Sequence, residues 1–434
     1  MARADGRGNT PLASALSGGY TRRVSDRIQR CRVSGSRNLL SVLDLGEQAL
    51  TGLFPLPGDP PVPSGRLELL WCPDSGLLQL ATSFDPDRMY GDSYGYRSGL
   101  NQSMVDHLTS KAEYLSRLVR LGAGDLVLDI GSNDGTLLRA YKTPGLRKLG
   151  IDPTSAKFRD FYPADAIVVP DFFSHDSFVG AVGRAKAKVI TSIAMFYDLE
   201  DPVAFAQAVF DCLDDDGVWH FEQSYLPSML RQNSYDTVCH EHVEYYSLTS
   251  VMPILERAGL EATNVVMNMV NGGSFAVTAA KVGRKGRREK PPVVQWLLEQ
   301  EKRIGLGTPR PFRDFEERVF EHRQSLRALI LALVADGRTI VGYGASTKGN
   351  VILQFCGLTE KEIPCIADVN PDKFGRVTPG THIPIVSEEE GRALKPDYFL
   401  VLPWHFKAGI LKREAEFLAR GGQMIFPMPE IEIV

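Results

Sequence analysis

The segment from Ser224 to Thr249 concentrates side chains that can move protons. It contains His240, Glu241 and His242 in succession, followed by Glu244 and two tyrosines. An imidazole with an ordinary pKa of about 6.5 can act as a general base, and a neighbouring carboxylate or second imidazole can orient it. The segment therefore predicts proton transfer; the alternative is a purely structural role.

A metal site is the main rival explanation for the two histidines. The zinc motif H-E-x-x-H places two imidazoles four residues apart on one face of a helix. His240 and His242 are only two positions apart. The spacing does not support that chemistry, and we predict no metal ion at this segment.

A second chemical signal is a glycine turn in LVLDIGSNDGTLLRAY, residues 126–141. An apolar strand ends at Asp129, the chain turns through Gly131, Asn133 and Gly135, and a helix follows. Glycine lets the backbone approach a ligand, and a helix N-terminus offers free N–H groups. The full G-x-G-x-x-G spacing of dinucleotide sites is absent. The D-x-G-x-x-x-G pattern instead resembles the first motif of class I methyltransferases, a loop that supports the amino-acid end of S-adenosylmethionine.

Acidic residues also end the next two predicted strands. Asp152 ends KLGID, about 20 residues past the glycine turn, where a carboxylate can accept both ribose hydroxyls. Asp171, in VVPDFF, is a candidate contact near the adenine. The alternative is that the glycine turn is only a tight connection, as in any α/β fold.

A second glycine turn lies in IVGYGASTKGN, residues 340–350. Backbone N–H groups, the hydroxyls of Ser346 and Thr347, Lys348 and Asn350 suit a diphosphate. The spacing is not that of a Walker motif. We interpret the turn as a phosphate-binding element; the alternative is that it serves packing alone.

The elements that must position these residues follow from the apolar pattern. Apolar residues three and four apart predict a helix over 101–121, and apolar strands are predicted at Lys148–Ile151, Ala166–Val169, Val189–Ile193 and Val218–Phe221. Strands that alternate with helices imply a mostly parallel sheet covered on both faces.

The chain divides into four predicted parts. Residues 1–26 form a flexible tail and 27–90 a small β-rich module. Residues 91–281 form a doubly wound domain. Residues 282–434 contain most of the basic stretch KVGRKGRREK, two long helices and a second α/β domain.

Composition narrows the class of protein. The 434 residues carry a formal charge of −4, without a basic stripe for nucleic acid. Neither a stretch of about 18 apolar residues for a membrane span nor a secretory signal is present. Six scattered cysteines do not form a disulfide framework. We expect a cytoplasmic enzyme with neither nucleic acid nor membrane as partner.

Several longer motifs carry a family resemblance. CHEHVEYYSL, NGGSFAV, GYGASTKGNVILQ, DVNPDKFGR, PGTHIPIV and PDYFLVLPWHF are similar to segments of the three-domain sugar C-methyltransferases, which act on nucleotide-linked 4-keto deoxy sugars. The similarity covers about Arg27 to Val434. It implies an α/β fold with a small N-terminal β-rich module, a central class I methyltransferase doubly wound domain and a C-terminal Rossmann-like domain.

The resemblance also implies roles. His242 becomes the base that removes the proton beside the ketone, Glu241 and His240 orient it or hold the sugar, and Tyr94 or Tyr96 closes the pocket. The cofactor is S-adenosylmethionine, and the partner is a nucleotide-sugar from a bacterial-type antibiotic or polysaccharide pathway. The resemblance also implies that the second glycine turn, with Ser346, Thr347, Lys348 and Asn350, contacts the substrate. Tyr245, Asn271 and His405 are further implied contacts, and Trp404 lies next to His405.

This chain departs from the family in its N-terminal module. Relatives carry two C-x-x-C pairs that bind zinc, whereas here Cys31 pairs with Ser34 and Cys72 with Ser75. Serine is a poor replacement because structural zinc prefers four Cys or His ligands. We predict no tightly bound zinc and a module held by apolar residues, among them Leu43, Leu45, Leu53, Leu69 and Trp71.

Two other departures bear on the reaction. Cys239 stands where relatives often have tyrosine, and the chain reads SIAMFYD where some relatives carry a histidine. We interpret Cys239 as a thiol that packs in the core; the alternative is that it acts as a nucleophile. Methyl transfer to oxygen or nitrogen, and a non-catalytic nucleotide-sugar or cofactor sensor, remain alternatives to carbon methylation.

Overall fold

The computed structural model of the protein describes residues 27–84, 97–283 and 292–434. The predicted flexible tail, Tyr94, Tyr96 and most of the basic stretch lie outside these residues. None of the helices in the described ranges combines the length and apolar character that crossing a membrane requires.

The N-terminal module begins with three antiparallel strands: β1 (Leu40–Ala49), β2 (Ser64–Trp71) and β3 (Leu78–Leu80). Apolar side chains at alternate positions point into one core, as the period of a strand requires. Leu43, Leu45, Leu69 and Trp71 are buried and Leu53 is partly buried.

The central domain contains the next eight strands and six helices. The strands are β4 (Leu126–Ile130), β5 (Arg147–Ile151), β6 (Ala166–Val169), β7 (Ala187–Ile193), β8 (Leu213–Ser224), β9 (Glu244–Tyr245), β10 (Leu260–Asn268) and β11 (Ser274–Lys281). The helices are α1 (Gln102–Val119), α2 (Thr136–Ala140), α3 (His175–Val182), α4 (Pro202–Cys212), α5 (Leu226–Arg231) and α6 (Leu248–Arg257).

Seven of these strands form one sheet in the order β10-β11-β8-β7-β4-β5-β6, in which β11 is antiparallel to both neighbours. The five strands from β8 to β6 are parallel, so their carboxyl ends share one edge. The doubly wound class I methyltransferase architecture is therefore confirmed for this domain. The ninth strand leaves it and pairs with β3 of the N-terminal module.

Two helices, α7 (Pro292–Arg303) and α8 (Arg310–Ala335), lead into the C-terminal domain. Its elements are β12 (Ile340–Tyr343), α9 (Thr347–Cys356), β13 (Ile366–Asp368), β14 (Ile385–Ser387), α10 (Glu388–Ala393), β15 (Tyr398–Val401), α11 (Lys407–Arg413), α12 (Ala415–Ala419), β16 (Gln423–Phe426) and β17 (Glu432–Ile433). The sheet order is β14-β13-β12-β15-β16-β17, parallel except for β17. This is the Rossmann-like domain that the sequence predicts.

The N-terminal module and the C-terminal domain share one hydrophobic core, which also contains residues around α5 and around the HEH segment, His240 to His242. Within it the ring of Trp71, on β2, lies 5.1 Å from the ring of Phe312, on α8. The HEH segment therefore lies where all three parts of the molecule meet.

Candidate active site

The first glycine turn connects β4 to α2 and needs unusual backbone angles. Gly131, Asn133 and Gly135 have φ values of 69°, 51° and 71°, in the left-handed region that favours glycine and asparagine. A Cβ atom at Gly135 would also come within 2.7 Å of the Tyr162 ring. Glycine at position 135 is thus required by packing as well as by backbone conformation.

A cavity of about 320 Å³ opens above this turn, a volume within the range of small-molecule sites. Asp129, Gly131, Asn133 and Asp152 line it. Further lining residues come from the ends of neighbouring strands and from α1, including Met104, Leu108, Phe172, Phe173, Tyr197, Glu200, Glu222, Ser224, Asn271 and Ser274. The cavity therefore lies at the edge of the sheet where the parallel strands have their carboxyl ends.

Two carboxylates on this cavity are fixed by hydrogen bonds. Asp129 is buried, and its Oδ1 accepts a 2.7 Å hydrogen bond from the hydroxyl of Thr191. Burial raises the pKa of Asp129 to about 7, and the nearby charge of Asp152 adds to the effect. Asp152 accepts hydrogen bonds from the backbone N–H groups of Asn133 and Thr154, at 2.8 and 2.6 Å. The second carboxylate therefore also holds the glycine turn in shape.

The structure locates Asp171 away from the cavity lining. Its side chain is exposed, and its Oδ1 accepts a hydrogen bond from the backbone N–H of Phe172 at 2.7 Å. The next two residues, Phe172 and Phe173, line the cavity instead. The two aromatic residues that follow the strand, rather than the acid, are therefore the sequence feature that marks this part of the cavity.

The members of the HEH segment point in different directions. His240 is fully buried: its Nε2 lies 3.2 Å from the carbonyl of Gly65, and its Nδ1 lies 3.3 Å from the hydroxyl of Thr51. The ring of Phe84 packs edge-on at 4.7 Å. Burial lowers the pKa of His240 to about 4. This neutral imidazole therefore connects the HEH segment to the N-terminal module.

His242 is partly buried and lines a small cavity. Its Nδ1 lies 3.0 Å from the carbonyl of Thr237, so Nδ1–H donates and the lone pair remains on Nε2. The ring of Tyr197 packs against it with centroids 4.3 Å apart. Burial, and then the charge of Lys348, lower the pKa of His242 to about 3. The imidazole is therefore neutral at neutral pH.

A small cavity of about 10 Å³ lies beside His242. Tyr197 and Ser224 line both this cavity and the larger one. Tyr245 also lines the small cavity, and its hydroxyl donates to the carbonyl of Thr237 at 3.3 Å. Tyr197 and Ser224 therefore separate the cavity lined by His242 from the cavity lined by the first glycine turn.

Glu241 lies where the three domains approach one another. A Cβ atom at Gly52, in the N-terminal module, would be 2.0 Å from its Oε1 and 3.7 Å from the hydroxyl of Thr347. Among the described residues Oε2 has no hydrogen-bond partner, and burial raises the pKa of Glu241. Sequence reasoning did not predict the role of Gly52, which is to leave room for this carboxylate.

The second glycine turn brings Lys348 to the same region. Its ammonium lies 3.5 Å from the carbonyl of Asn271, whose φ is 52° and which lines the large cavity. Ser346 caps α9 by accepting from the N–H of Gly349, and the buried Asn350 donates to the carbonyl of Thr51 at 2.7 Å. Lys348 thus reaches the cavity rim, while Ser346 and Asn350 stabilise the turn and its contact with the N-terminal module.

Trp404 and His405 follow β15 on the same side. The indole of Trp404 donates to a carboxylate oxygen of the buried Asp236 at 2.8 Å. Nδ1 of His405 has no hydrogen-bond partner among the described residues. Burial, and then the charge of Lys348, lower the pKa of His405 to about 3. Its neutral ring is available for a ligand.

A charged cluster at the end of β8 was not predicted. Glu222 lines the large cavity and lies 2.5 Å from Nε2 of His107 and 2.5 Å from the ammonium of Lys111, both on α1. Burial opposes its ionisation, but these two partners lower the pKa of Glu222 to about 2. A glutamate near the carboxyl end of the predicted strand, in VWHFEQ, was the available signal. The cluster fastens α1 over the cavity.

Comparisons with known proteins agree with this arrangement of domains. Three family models match the chain: "Putative zinc binding domain" at residues 31–90, "Methyltransferase domain" at 106–265 and "C-methyltransferase C-terminal domain" at 269–429. The C-methyltransferase NovU of Streptomyces niveus is 33% identical over 414 residues, which cover 94% of this chain and 97% of the relative.

Among solved structures, the chain is similar to the mitomycin 7-O-methyltransferase MmcR, with 16% identity and a TM-score of 0.34 over 42% of this chain and 55% of that one. It is also similar to CalO1, a methyltransferase in calicheamicin biosynthesis, with 16% identity and a TM-score of 0.30 over 40% and 54% of the two chains.

Proposed function

This chain belongs to the three-domain C-methyltransferase family, and from this premise we propose that it methylates a ring carbon of a nucleoside-diphosphate-linked keto deoxy sugar. Membership makes it an S-adenosylmethionine-dependent methyltransferase. The observation that carries the proposal is the position of His242. Thr237 orients its imidazole, and the small cavity that it lines is separated by Tyr197 and Ser224 from the 320 Å³ cavity, here called the cofactor cavity.

Carbon methylation needs a base because a ring carbon is a poor nucleophile until its proton is removed beside a carbonyl group. In our proposal Nε2 of His242 removes that proton. The bond from Nδ1–H to the carbonyl of Thr237 supports this role, since it fixes the tautomer and leaves the lone pair on Nε2.

The low pKa of His242 in the protein without substrate has a direct consequence for the reaction. Its causes are burial and, second, the positive charge of Lys348. A diphosphate bound at Lys348 would offset that charge, so it would raise the pKa of His242 toward the range in which an imidazole accepts a proton effectively. Substrate binding and activation of the base are coupled in this way.

The negative charge that develops on the ketone oxygen requires hydrogen-bond donors in a site from which water is excluded. Tyr197 lines both cavities and contacts the imidazole, which makes its hydroxyl a candidate donor. Burial raises the pKa of Glu241, so its protonated form is a second candidate donor. We assign both residues to the sugar rather than to the cofactor.

The residues around the first glycine turn fit S-adenosylmethionine. Asp129 and Asn133 offer polar groups for its amino-acid end, Asp152 for its ribose, and Phe172 and Phe173 an apolar surface for its adenine. This cofactor supplies an electrophilic methyl group on a sulfonium. On the other side of the site, Lys348 and Thr347 would hold the diphosphate.

The test uses nucleotide-linked keto deoxy sugars that carry deuterium on the ring carbons beside the ketone. The purified protein should transfer a methyl group from labelled S-adenosylmethionine and release one deuteron per methyl group, both measured by mass spectrometry. The variant His242→Ala should lose both activities while it still binds the cofactor in calorimetry. His175→Ala, which changes an exposed histidine on α3, is the matched control.

Three results would overturn the proposal. A methylated product that retains all its deuterium indicates transfer to oxygen or nitrogen. Full turnover by His242→Ala shows that another group is the base. A protein that binds S-adenosylmethionine but methylates no member of the panel, in any variant, contradicts the sugar as substrate class.

A further inference from the structure

The N-terminal module contains two turns with the same backbone geometry, residues 31–35 and 72–76. In each, a cysteine carbonyl accepts a 2.8 Å hydrogen bond from the N–H of the glycine four residues later. These glycines, Gly35 and Gly76, have φ values of 72° and 71°. The first and fourth side chains of the two turns therefore face one another, as the ligands of a four-coordinate metal would.

The four side chains at these positions are paired across the two turns. Sγ of Cys31 lies 3.2 Å from Oγ of Ser75, and Oγ of Ser34 lies 3.5 Å from Sγ of Cys72. Each contact joins a thiol to a hydroxyl, and sulfur contacts of this length are hydrogen bonds. Only Ser34 is exposed. Each turn is thus linked to the other through both of its ends.

This set of donors does not fit a structural zinc ion. Such an ion takes four ligands from Cys, His, Asp or Glu, and a serine hydroxyl stays protonated and binds it weakly. Within residues 27–84, 97–283 and 292–434, no group of three or more such side chains is arranged to hold a metal. The two hydrogen bonds take the structural place of the metal–ligand bonds.

Arg32, inside the first turn, connects the module to the cofactor cavity. Its side chain is 3% exposed. Its guanidinium donates to Leu80 O at 2.8 Å, to Ser83 Oγ at 3.0 Å and to Glu200 Oε2 at 3.3 Å. The hydroxyl of Ser83 also donates to Glu200, at 2.7 Å. Glu200 lines the cofactor cavity, so the closed turn holds part of the cavity wall.

We propose that the N-terminal module closes without metal through its two thiol–hydroxyl pairs, and that the closed module positions Glu200 through Arg32. The module has a second connection to the site, because the N–H of Leu80 donates to the carbonyl of Val243 at 2.8 Å, next to His242. A folded module is thus a condition for a correctly formed site.

Metal content and thermal unfolding test the closure. Purified wild-type protein should contain far less than one zinc ion per chain, and EDTA should leave its Tm unchanged. The double variant Cys31→Ser/Cys72→Ser should stay folded, because hydroxyls can replace thiols in both hydrogen bonds. Stoichiometric zinc in the wild type with a Tm that falls in EDTA would overturn the proposal, as would unfolding of the double variant.

Restoring the thiols gives the reciprocal test. The variant Ser34→Cys/Ser75→Cys, kept reduced, should bind one zinc ion per chain and gain a Tm that rises with zinc and falls with EDTA. The single variant Ser34→Cys, with three thiols, is the matched control and should bind zinc more weakly. Failure of the double variant to bind zinc would show that the four positions do not converge as described.

The effect of Arg32 is tested by a double-mutant cycle on the Kd of S-adenosylmethionine. Arg32→Met should raise this Kd about tenfold, and Glu200→Gln should have little further effect in that background. Arg32→Lys should recover part of the affinity, and Arg37→Met, at an exposed position outside the turn, should change nothing. Independent, additive effects would refute positioning through Glu200. The metal tests do not depend on the sugar substrate proposed above.

Discussion

Gly52 offers the sharpest test of the proposed site, because adding one methyl group there displaces one catalytic candidate. The Cβ atom of Gly52→Ala would lie 2.0 Å from Oε1 of Glu241 and 3.3 Å from its Cδ. Non-bonded heavy atoms need about 3 Å or more, so the carboxylate oxygen must move by about 1 Å. No left-handed backbone angle is involved, and the substitution tests this single contact.

The expected effects on stability and on activity differ in size. The end of a glutamate side chain can rotate away, which costs about 0.5–1.5 kcal/mol for a shift away from a preferred torsion. A displacement of about 1 Å at a reacting centre can lower the rate about 100-fold. Gly52→Ala should therefore lower kcat/KM strongly while the free energy of unfolding changes little.

The assay compares kcat/KM from labelled methyl transfer with the free energy of unfolding from urea titration. Gly307→Ala is the matched control, because Gly307 is exposed and has no atom within 4 Å of an added Cβ. In a Glu241→Gln background the second substitution should add little, since both changes act on the same carboxylate. Activity of Gly52→Ala within about twofold of wild type, with Gly307→Ala equal to it, would refute the assignment of Glu241 to the reaction.

Three further predictions concern charge. Burial raises the pKa of Asp129 to about 7, so cofactor affinity measured by calorimetry should increase as the pH rises through 7, and Asp129→Asn should weaken binding and abolish this dependence. Lys348→Met should raise the KM for the nucleotide-sugar about tenfold. Because the Lys348 charge helps to lower the pKa of His242 in the free protein, the acid limb of the kcat/KM profile should move to higher pH, and an unmoved limb contradicts the coupling. Burial lowers the pKa of His220 to about 3, so between about pH 6.5 and 3 the unfolded chain binds a proton that the folded protein excludes, and stability should fall as the pH decreases. Urea titrations at two pH values should show a smaller loss for His220→Asn, and an equal loss would contradict burial as the cause.

The elements of the central sheet were predictable because their signals are local. The strand Ala166–Val169 has the predicted bounds, and the strand predicted at Lys148–Ile151 begins one residue earlier. The strand predicted at Val218–Phe221 extends over Leu213–Ser224. Its additional residues pair with β7 and β11, contacts that an apolar pattern within one segment does not contain.

The direction of side chains outside regular elements does not follow from the local sequence pattern, and the choice of His242 as the base came only from the family resemblance. His240 and His242 are chemically equivalent in the sequence, yet one is held by Gly65 and Thr51 and the other faces the cavity wall. They lie in an irregular turn between two short elements, where no helical or strand period fixes which way a side chain points.

The sequence by itself determined the alternating α/β architecture, the glycine turn and the clustering of candidate proton-transfer residues in the HEH segment, since each depends on residues that are close in the chain. Only the tertiary structure decided that His240 contacts the N-terminal module while His242 lines the small cavity beside the large one. It also decided that Gly52 leaves room for Glu241 and that Arg32 contacts Glu200. The physical reason is that these arrangements depend on contacts between segments far apart in the chain, where packing and burial, rather than local preference, select the side-chain position.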